Sequence, residues 1–125
     1  MNILIVEDAA LERELLMEVL RGVGVANGFY EAATGEEAIE ILGRNYKNIC
    51  LILLDWQMPQ MSGLEFMEGV VKVPAVAPIP IVMVTASGSE EDQKKARTVN
   101  PNLVGYVVKP YEPEELVKII QPYLK

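Results

Sequence analysis

Asp55 stands directly after the apolar run Ile49–Leu54, whose length and composition predict a strand buried on both faces. Three other short apolar runs also end in residues that can do chemistry: Asn2–Val6 in Glu7 and Asp8, Ile81–Val84 in Thr85, and Val104–Val108 in Lys109. Folds of the α/β class place their reacting groups at the carboxyl ends of parallel strands. The sequence therefore predicts one site made of three acids, a hydroxyl group and a lysine.

Three carboxylates in one cleft repel each other unless one is protonated or a cation lies among them. At a separation of about 4 Å and an effective dielectric of about 20, each pair costs about 4 kcal/mol. Lys109 supplies one positive charge, which leaves an excess of negative charge. Mg²⁺ fits this need because it binds oxygen ligands and uses only one or two carboxylates. Such a metal orients a phosphoryl group, and a carboxylate beside it can act as the nucleophile that becomes an aspartyl phosphate.

Helical patterns alternate with the apolar runs along the whole chain, which predicts βα repeats and a parallel sheet. A weaker run, Phe29–Ala32, supplies the second strand. Right-handed crossovers leave few topologies, and helices on both faces favour the doubly wound, flavodoxin-like order 2-1-3-4-5. We therefore predict an α/β fold of the (βα)5 type with a five-stranded parallel sheet. In this order the ends of strands one, three, four and five are neighbours.

Five helices are predicted from apolar spacing and from start and stop signals. They are Ala9–Arg21, a segment opened by the capping box Thr34–Glu37, a short helix that follows Ser62-Gly63 and runs to about Val71, about Ser89 to Thr98, and a last helix with Pro113 in its first turn. The predicted inward positions are Leu11, Leu15, Leu16, Val19 and Leu20 in the first helix, Ala38, Ile39 and Leu42 in the second, and Leu116, Ile119, Ile120, Tyr123 and Leu124 in the last. Pro122 should end or kink the last helix, and three prolines within residues 73–80 predict an extended connector.

Length and composition exclude several classes of function. The 125 residues are the size of one domain, which we place at 1–125. A net charge of −7 without a basic patch argues against nucleic-acid binding, and the absence of histidine excludes histidine bases and zinc ligands. Cys50 stands alone, and no apolar stretch approaches the roughly 18 residues of a membrane span. We therefore expect a soluble, cytoplasmic protein without a disulfide or a signal peptide.

Four motifs, each at a predicted strand end, resemble those of response-regulator receiver domains, the phosphoacceptor half of two-component signalling. They are Val6-Glu7-Asp8, Asp55-Trp56-Gln57-Met58-Pro59 with Ser62-Gly63, Val84-Thr85-Ala86, and Gly105-Tyr106 followed by Lys109-Pro110. Each motif is weak alone, but their order and spacing together are specific. The resemblance covers essentially the full length of the chain and favours the strand order given above, which the chemotaxis member of this family also has.

The resemblance implies a role for each acidic residue of the site. Asp55 would accept a phosphoryl group from the phosphohistidine of a sensor histidine kinase or a histidine phosphotransfer protein. Asp8 and Asp55 would bind Mg²⁺ together with the backbone carbonyl of Gln57, and Glu7 would hold the ion through water. Lys109 would pair first with Asp55 and then with the phosphoryl group. The peptide bond before Pro110 is usually cis in this family.

The resemblance also implies a switch and two docking surfaces. Thr85 would hydrogen-bond the phosphoryl group, and Tyr106 would move between exposed and inward positions. The surface of helix four, strand five and helix five would be the output face, while Leu11 and residues 111–113 are candidates for contact with the phosphoryl donor. Gln57 and Ser87 would tune the lifetime of the aspartyl phosphate. Such a protein catalyses only its own phosphorylation and dephosphorylation.

Three alternatives fit the sequence less well. A flavodoxin shares the fold, but Glu7 and Asp8 would repel the phosphate of its cofactor. A phosphatase of the other aspartyl-phosphate class needs an acid two residues after the nucleophile, where this chain has Gln57. A receiver-like scaffold that acts without phosphorylation usually lacks a site residue, and none is missing here.

Overall fold

The computed structural model describes all 125 residues as five strands and five α-helices that alternate along the chain. The strands are β1 Asn2–Val6, β2 Phe29–Ala32, β3 Ile49–Leu54, β4 Ile81–Thr85 and β5 Leu103–Val108. The helices are α1 Ala10–Gly22, α2 Gly35–Asn45, α3 Gly63–Val71, α4 Glu90–Val99 and α5 Pro113–Ile120. All strands are parallel and pair in the order β2-β1-β3-β4-β5. The predicted (βα)5 fold and strand order are confirmed.

The sheet divides the hydrophobic core into two layers because successive side chains of a strand point to opposite faces. Leu4 and Val6 of β1 point into a layer formed with α2, α3 and α4, here called the α2–α4 layer. Ile3 and Ile5 point into a layer formed with α1 and α5, here called the α1–α5 layer. Every residue of β3 and β4 is buried, which is why these strands read as continuous apolar runs.

Side-chain hydroxyl groups begin three of the helices. Thr34 accepts a hydrogen bond from the backbone of Glu37 at the start of α2. Ser62 and Glu65 form a complete capping box at the start of α3, and Ser89 caps α4. Each such bond satisfies a backbone N–H that the first helical turn leaves unpaired. The predicted starts of these helices are therefore confirmed.

The predicted inward face of α1 is wrong in part. Leu11 and Leu15 have exposed fractions of 67% and 50%, whereas Leu16, Met17 and Leu20 are buried. Two neighbouring apolar stripes exist on this helix, and the sheet covers only the second one. Ile39 of α2 is also exposed rather than buried.

The proline-rich segment 73–80 is not extended, contrary to the prediction. It forms consecutive turns in which the N–H groups of Val76 and Ala77 donate to the carbonyl of Val73 at 3.1 and 2.9 Å. Proline lacks only its own N–H donor, so the intervening residues remain free to make these turn hydrogen bonds. At the other end of the chain, α5 stops at Ile120 and continues as a 3-10 turn over Gln121–Tyr123, as Pro122 predicts. None of the helices combines the length and apolar character needed to span a lipid bilayer.

Candidate functional site

The three predicted acids lie together at the carboxyl edge of the sheet. Glu7 and Asp8 follow β1, and Asp55 follows the neighbouring strand β3. One carboxylate oxygen of each lies within 4.8 Å of the others. Glu7 is buried with 6% of its surface exposed, Asp55 is half-buried and Asp8 is exposed. The cluster is therefore accessible from solvent through Asp8 and Asp55.

Lys109 reaches the same edge from the end of β5. Its Nζ atom lies 3.6 Å from Oδ2 of Asp55 and 3.2 Å from Oε2 of Glu12. The backbone N–H of Lys109 donates to the carbonyl of Thr85 at 2.9 Å, which continues the β4–β5 pairing up to the site. The peptide bond between Lys109 and Pro110 is cis, as the resemblance implied.

Burial and the neighbouring Asp55 change the protonation of Glu7. Burial is the main reason why the pKa of Glu7 rises from its ordinary value of 4.5 to about 8. The hydrogen bond that Glu7 donates to Asp55 and the charge of Asp55 raise this pKa further, while Lys109 lowers it. In the metal-free cluster, Glu7 therefore keeps its proton at neutral pH. Its Oε2 atom is buried and has no hydrogen-bond partner.

Asp55 and Lys109 both remain charged at neutral pH. Burial alone would raise the pKa of Asp55, but hydrogen bonds from Glu7 and Thr85 and the charge of Lys109 hold it below its ordinary value. The backbone N–H of Gln57 adds a further donor, 3.4 Å from Oδ1 of Asp55. Burial alone would lower the pKa of Lys109, but the nearby carboxylates, Asp55 first, raise it above its ordinary value. Asp55 is thus an anionic oxygen nucleophile beside a fixed positive charge.

Thr85 and Tyr106 are joined through the loop that follows β4. The Thr85 side chain is 1% exposed, and its Oγ1 accepts a hydrogen bond from the backbone N–H of Ser87 at 3.3 Å. The half-buried Tyr106 donates its hydroxyl to the carbonyl of Ser87, and the Ser87 hydroxyl donates to Asp92 in the first turn of α4. Tyr106 is therefore in an inward position, held to the same loop as Thr85.

The loop after Asp55 is closed by a glycine. The N–H of Gly63 donates to the carbonyl of Trp56 at 2.7 Å. A Cβ atom at position 63 would lie 2.6 Å from the backbone carbonyl oxygen of Asp55. Only glycine allows this approach without a shift of the backbone. The Ser62-Gly63 motif thus fixes the path of the chain next to Asp55, while the Gln57 side chain remains exposed.

Two residues of the site were not predicted from the sequence. Glu12 contacts Lys109 as described, and Arg13 donates to the carbonyl oxygens of Glu7 and Asp8 at 2.7 and 3.4 Å. Arg13 also pairs with Glu31 of β2 at 3.1 Å. Both residues lie in the first turn and a half of α1, shortly after Asp8. This closeness to Asp8 was the only sequence signal for a contact with the site. Charged residues at the start of a helix are usually solvated, so their types alone did not indicate a contact.

An open cleft of about 480 Å³ extends from the acids toward α1 and the loop after β5. Its lining includes polar groups of Glu7, Asp55 and Lys109 and apolar side chains, Leu15 and Tyr111 among them. Leu11, the exposed leucine one turn before Leu15, lies on the same helix. The cleft thus combines charged and apolar lining residues.

A sequence model of the response regulator receiver domain matches residues 3–121. The chain belongs to the response regulator receiver domain family. It is therefore a receiver domain of two-component response regulators. The roles of the individual residues remain predictions.

Similar proteins fall into two groups by length. The chain is 37% identical to the phosphate regulon transcriptional regulatory protein PhoB of Escherichia coli over 99% of its own length but 52% of PhoB. It is 31% identical to a chemotaxis protein CheY homolog of Campylobacter jejuni, over 99% of this chain and 92% of that protein. The chain thus spans about half the length of PhoB and nearly all of the CheY homolog.

Solved structures give the same assignment. The chemotaxis protein CheY4 of Vibrio cholerae superimposes with a TM-score of 0.84 at 30% identity, over 98% of both chains. The Mn²⁺-bound form of response regulator Rcp1 superimposes with a TM-score of 0.76 at 28% identity, over 97% of this chain and 89% of Rcp1. Receiver domains bind Mg²⁺ through an acidic pocket, and this chain has an acidic cluster in Glu7, Asp8 and Asp55. The unpaired, buried Oε2 of Glu7 and the oxygen-only donor set fit a hard divalent cation.

Proposed function

We propose that Asp55 accepts a phosphoryl group from the phosphohistidine of a sensor histidine kinase or a histidine phosphotransfer protein. A carboxylate oxygen of Asp55 forms a bond to phosphorus while the bond between phosphorus and the donor imidazole nitrogen breaks. The electron pair of the broken bond stays on that nitrogen, so the donor leaves as a neutral imidazole after taking up a proton. One observation carries the proposal: an anionic Asp55 lies 3.6 Å from the Lys109 ammonium in an open cleft.

The protonation states support a nucleophilic role for Asp55. Its lowered pKa keeps it anionic, while in the metal-free site the raised pKa of Glu7 keeps the neighbouring carboxyl group neutral. One cluster thus holds a charged acceptor and a neutral hydrogen-bond donor. Lys109 would neutralise negative charge that arrives on a phosphoryl group, and the Thr85 hydroxyl would donate a hydrogen bond to it.

Mg²⁺ would be held by Asp8, Asp55 and the backbone carbonyl of Gln57, with Glu7 contributing through water. When bound, the ion supplies positive charge to the phosphoryl oxygens. The protein supplies the rest of the site: the loop closed at Gly63 fixes Asp55, and the β4–β5 pairing carries Lys109 to it. The chain would act only on its own Asp55, by phosphorylation and dephosphorylation.

The phosphoryl group would act on partners through the loop after β4. Thr85 would turn toward the phosphoryl oxygens and pull with it the backbone at Ser87, to which Tyr106 is also hydrogen-bonded. Thr85 and Tyr106 would then both act on the loop after β4, which would have two conformations. Phosphorylation would change how often each conformation is populated rather than build a new surface. The output face would comprise α4, β5 and α5. The proposal covers residues 1–125 as one receiver domain in the cytoplasm.

The test is incubation with Mg²⁺ and acetyl phosphate, followed by intact-mass measurement and fragment mapping. We expect a mass gain of one phosphoryl group on Asp55 that requires Mg²⁺ and is lost in Asp55→Asn. Glu14→Gln, which changes an exposed acid on α1, serves as the control and should be labelled like the wild type. No mass gain in the wild type would refute the proposal and favour a scaffold that works without phosphorylation.

A further inference from the structure

The ammonium group of Lys109 has two carboxylate partners, and the nearer one is not the proposed phosphoacceptor. Its Nζ atom lies 3.2 Å from Oε2 of Glu12 and 3.6 Å from Oδ2 of Asp55. Only the shorter of these separations falls within the usual range for an N–H···O hydrogen bond, roughly 2.7–3.2 Å. Glu12 therefore accepts a hydrogen bond from Lys109. Asp55 interacts with Lys109 only through the attraction of their opposite charges.

The position of Glu12 makes this contact exchangeable. Glu12 lies in the first turn of α1 and lines the same cleft as Asp55 and Lys109. The Glu12 side chain is 50% exposed and that of Lys109 is 25% exposed. Ion pairs with this much solvent contact are weak, so a more highly charged acceptor can take the lysine from its partner.

We infer that Glu12 is a positioning residue that holds the Lys109 ammonium at the rim of the cleft and thereby restrains the phosphorylation of Asp55. The inference rests on the function proposed above. An ammonium group has three N–H donors, and phosphoryl oxygens on Asp55 would compete for them with the Glu12 carboxylate. Lys109 must loosen its contact with Glu12 as the phosphoryl group arrives, so removing Glu12 should speed the transfer.

The test is a double-mutant cycle of Glu12→Gln and Lys109→Gln with acetyl phosphate and Mg²⁺. In this reaction, Asp55 forms the new bond to phosphorus, the bond between phosphorus and the acyl oxygen breaks, and acetate leaves. The rate constant is followed by intact mass in quenched samples. We expect Glu12→Gln to react about two- to fivefold faster than the wild type, the range set by a weak ion pair. In the Lys109→Gln background, Glu12→Gln should leave the rate constant unchanged, because the partner of Glu12 is absent.

Two further variants separate contact from charge. Glu12→Asp keeps the negative charge but shortens the side chain, so its rate should lie between those of the wild type and Glu12→Gln. Glu14→Gln removes one charge from the same helix without an ion pair to break, and its rate should equal that of the wild type. Rescue of the wild-type rate by charge alone in Glu12→Asp would contradict a role through contact.

The outcomes distinguish this inference from the proposed function. A wild type that gains no phosphoryl group overturns both. A phosphorylated wild type whose rate Glu12→Gln does not raise overturns the inference alone. An equal acceleration in both Lys109 backgrounds also overturns it, because Glu12 would then act by repelling the anionic donor or at the start of the helix.

Discussion

Replacing Glu7 by glutamine should stabilise the fold at neutral and alkaline pH and change its stability little near pH 5. The buried Glu7 donates a hydrogen bond to Asp55 when it is protonated. A glutamine amide has nearly the same shape, can make the same donation and never ionises. The substitution therefore removes only the penalty that arises because the unfolded chain gives up this proton at a lower pH than the folded state does.

The direction and size of this change in stability follow from the pKa of Glu7 in the folded and unfolded states. Unfolded chains lose this proton near pH 4.5, while the folded state keeps it to about pH 8 because burial raises the pKa of Glu7. Between these values the folded state binds more protons, so stability falls as pH rises and the loss is complete above about pH 8. At about 1.4 kcal/mol for each tenfold change in proton affinity, the loss is about 5 kcal/mol. Asp55 does not contribute in this window, because the pKa of Asp55 is lowered and its effect lies at more acidic pH.

Urea unfolding between pH 5 and 8.5, with a chelator to exclude divalent ions, measures this difference. Trp56 is the only tryptophan and reports the transition from a half-buried position. Wild type and Glu7→Gln should differ by less than about 1 kcal/mol near pH 5, diverge as pH rises and keep a constant difference above about pH 8, whereas Glu14→Gln should follow the wild type throughout. Parallel stability curves for the wild type and Glu7→Gln would refute the assignment of a raised pKa to Glu7.

Three further predictions concern the loop, the metal and the switch. In urea unfolding, Gly63→Ala should lower the free energy of unfolding by about 1–3 kcal/mol, because the added Cβ meets the backbone carbonyl of Asp55. Gly69→Ala, whose Cβ would lie in open space on α3, should raise the free energy of unfolding by about 1 kcal/mol. Mg²⁺ should raise the unfolding midpoint of the wild type, with a smaller rise in Asp8→Asn. Tyr106→Phe should lower the free energy of unfolding by about 0.5–1.5 kcal/mol, because it removes the hydroxyl donor to the loop after β4.

Each of these predictions has a contrary outcome. Equal stability of Gly63→Ala and the wild type would mean that the loop beside Asp55 tolerates a side chain. An identical Mg²⁺ response in Asp8→Asn would place the ion away from Asp8. An unchanged unfolding free energy in Tyr106→Phe would mean that the contact with Ser87 adds nothing to the folded state.

The strand ends were predictable because the physics there is local. A strand buried on both faces must be continuously apolar, so the first polar residue after it marks the edge of the sheet. This placed Glu7, Asp8 and Asp55 correctly, and strand β4 was one residue longer than expected because Thr85 is itself buried. The order of the strands followed from the few topologies that right-handed crossovers allow, together with the family resemblance.

The errors lie where several arrangements satisfy the same local pattern. Helical period alone offered two adjoining apolar stripes on α1, and only the position of the sheet decides that Leu16 is buried and Leu15 exposed. Prolines in 73–80 exclude a helix but not a series of turns. The partnership of Glu12 with Lys109 spans the whole chain between α1 and β5, so no short window of sequence contains it.

The division of the core into two layers bears on how such a protein can change over time. Tyr106 packs against the α2–α4 layer, whereas Tyr111, in the loop that follows Lys109, packs against the α1–α5 layer. A substitution within one layer reaches the other only through the backbone of the sheet between them. Altered packing beside the switch loop should therefore leave the cleft lining near α1 intact. Altered packing near α1 should likewise leave the switch loop intact. The proposed output face takes α4 from one layer and α5 from the other, so it would respond to substitutions in either layer, whereas the loop after Lys109 would respond mainly to those in the α1–α5 layer.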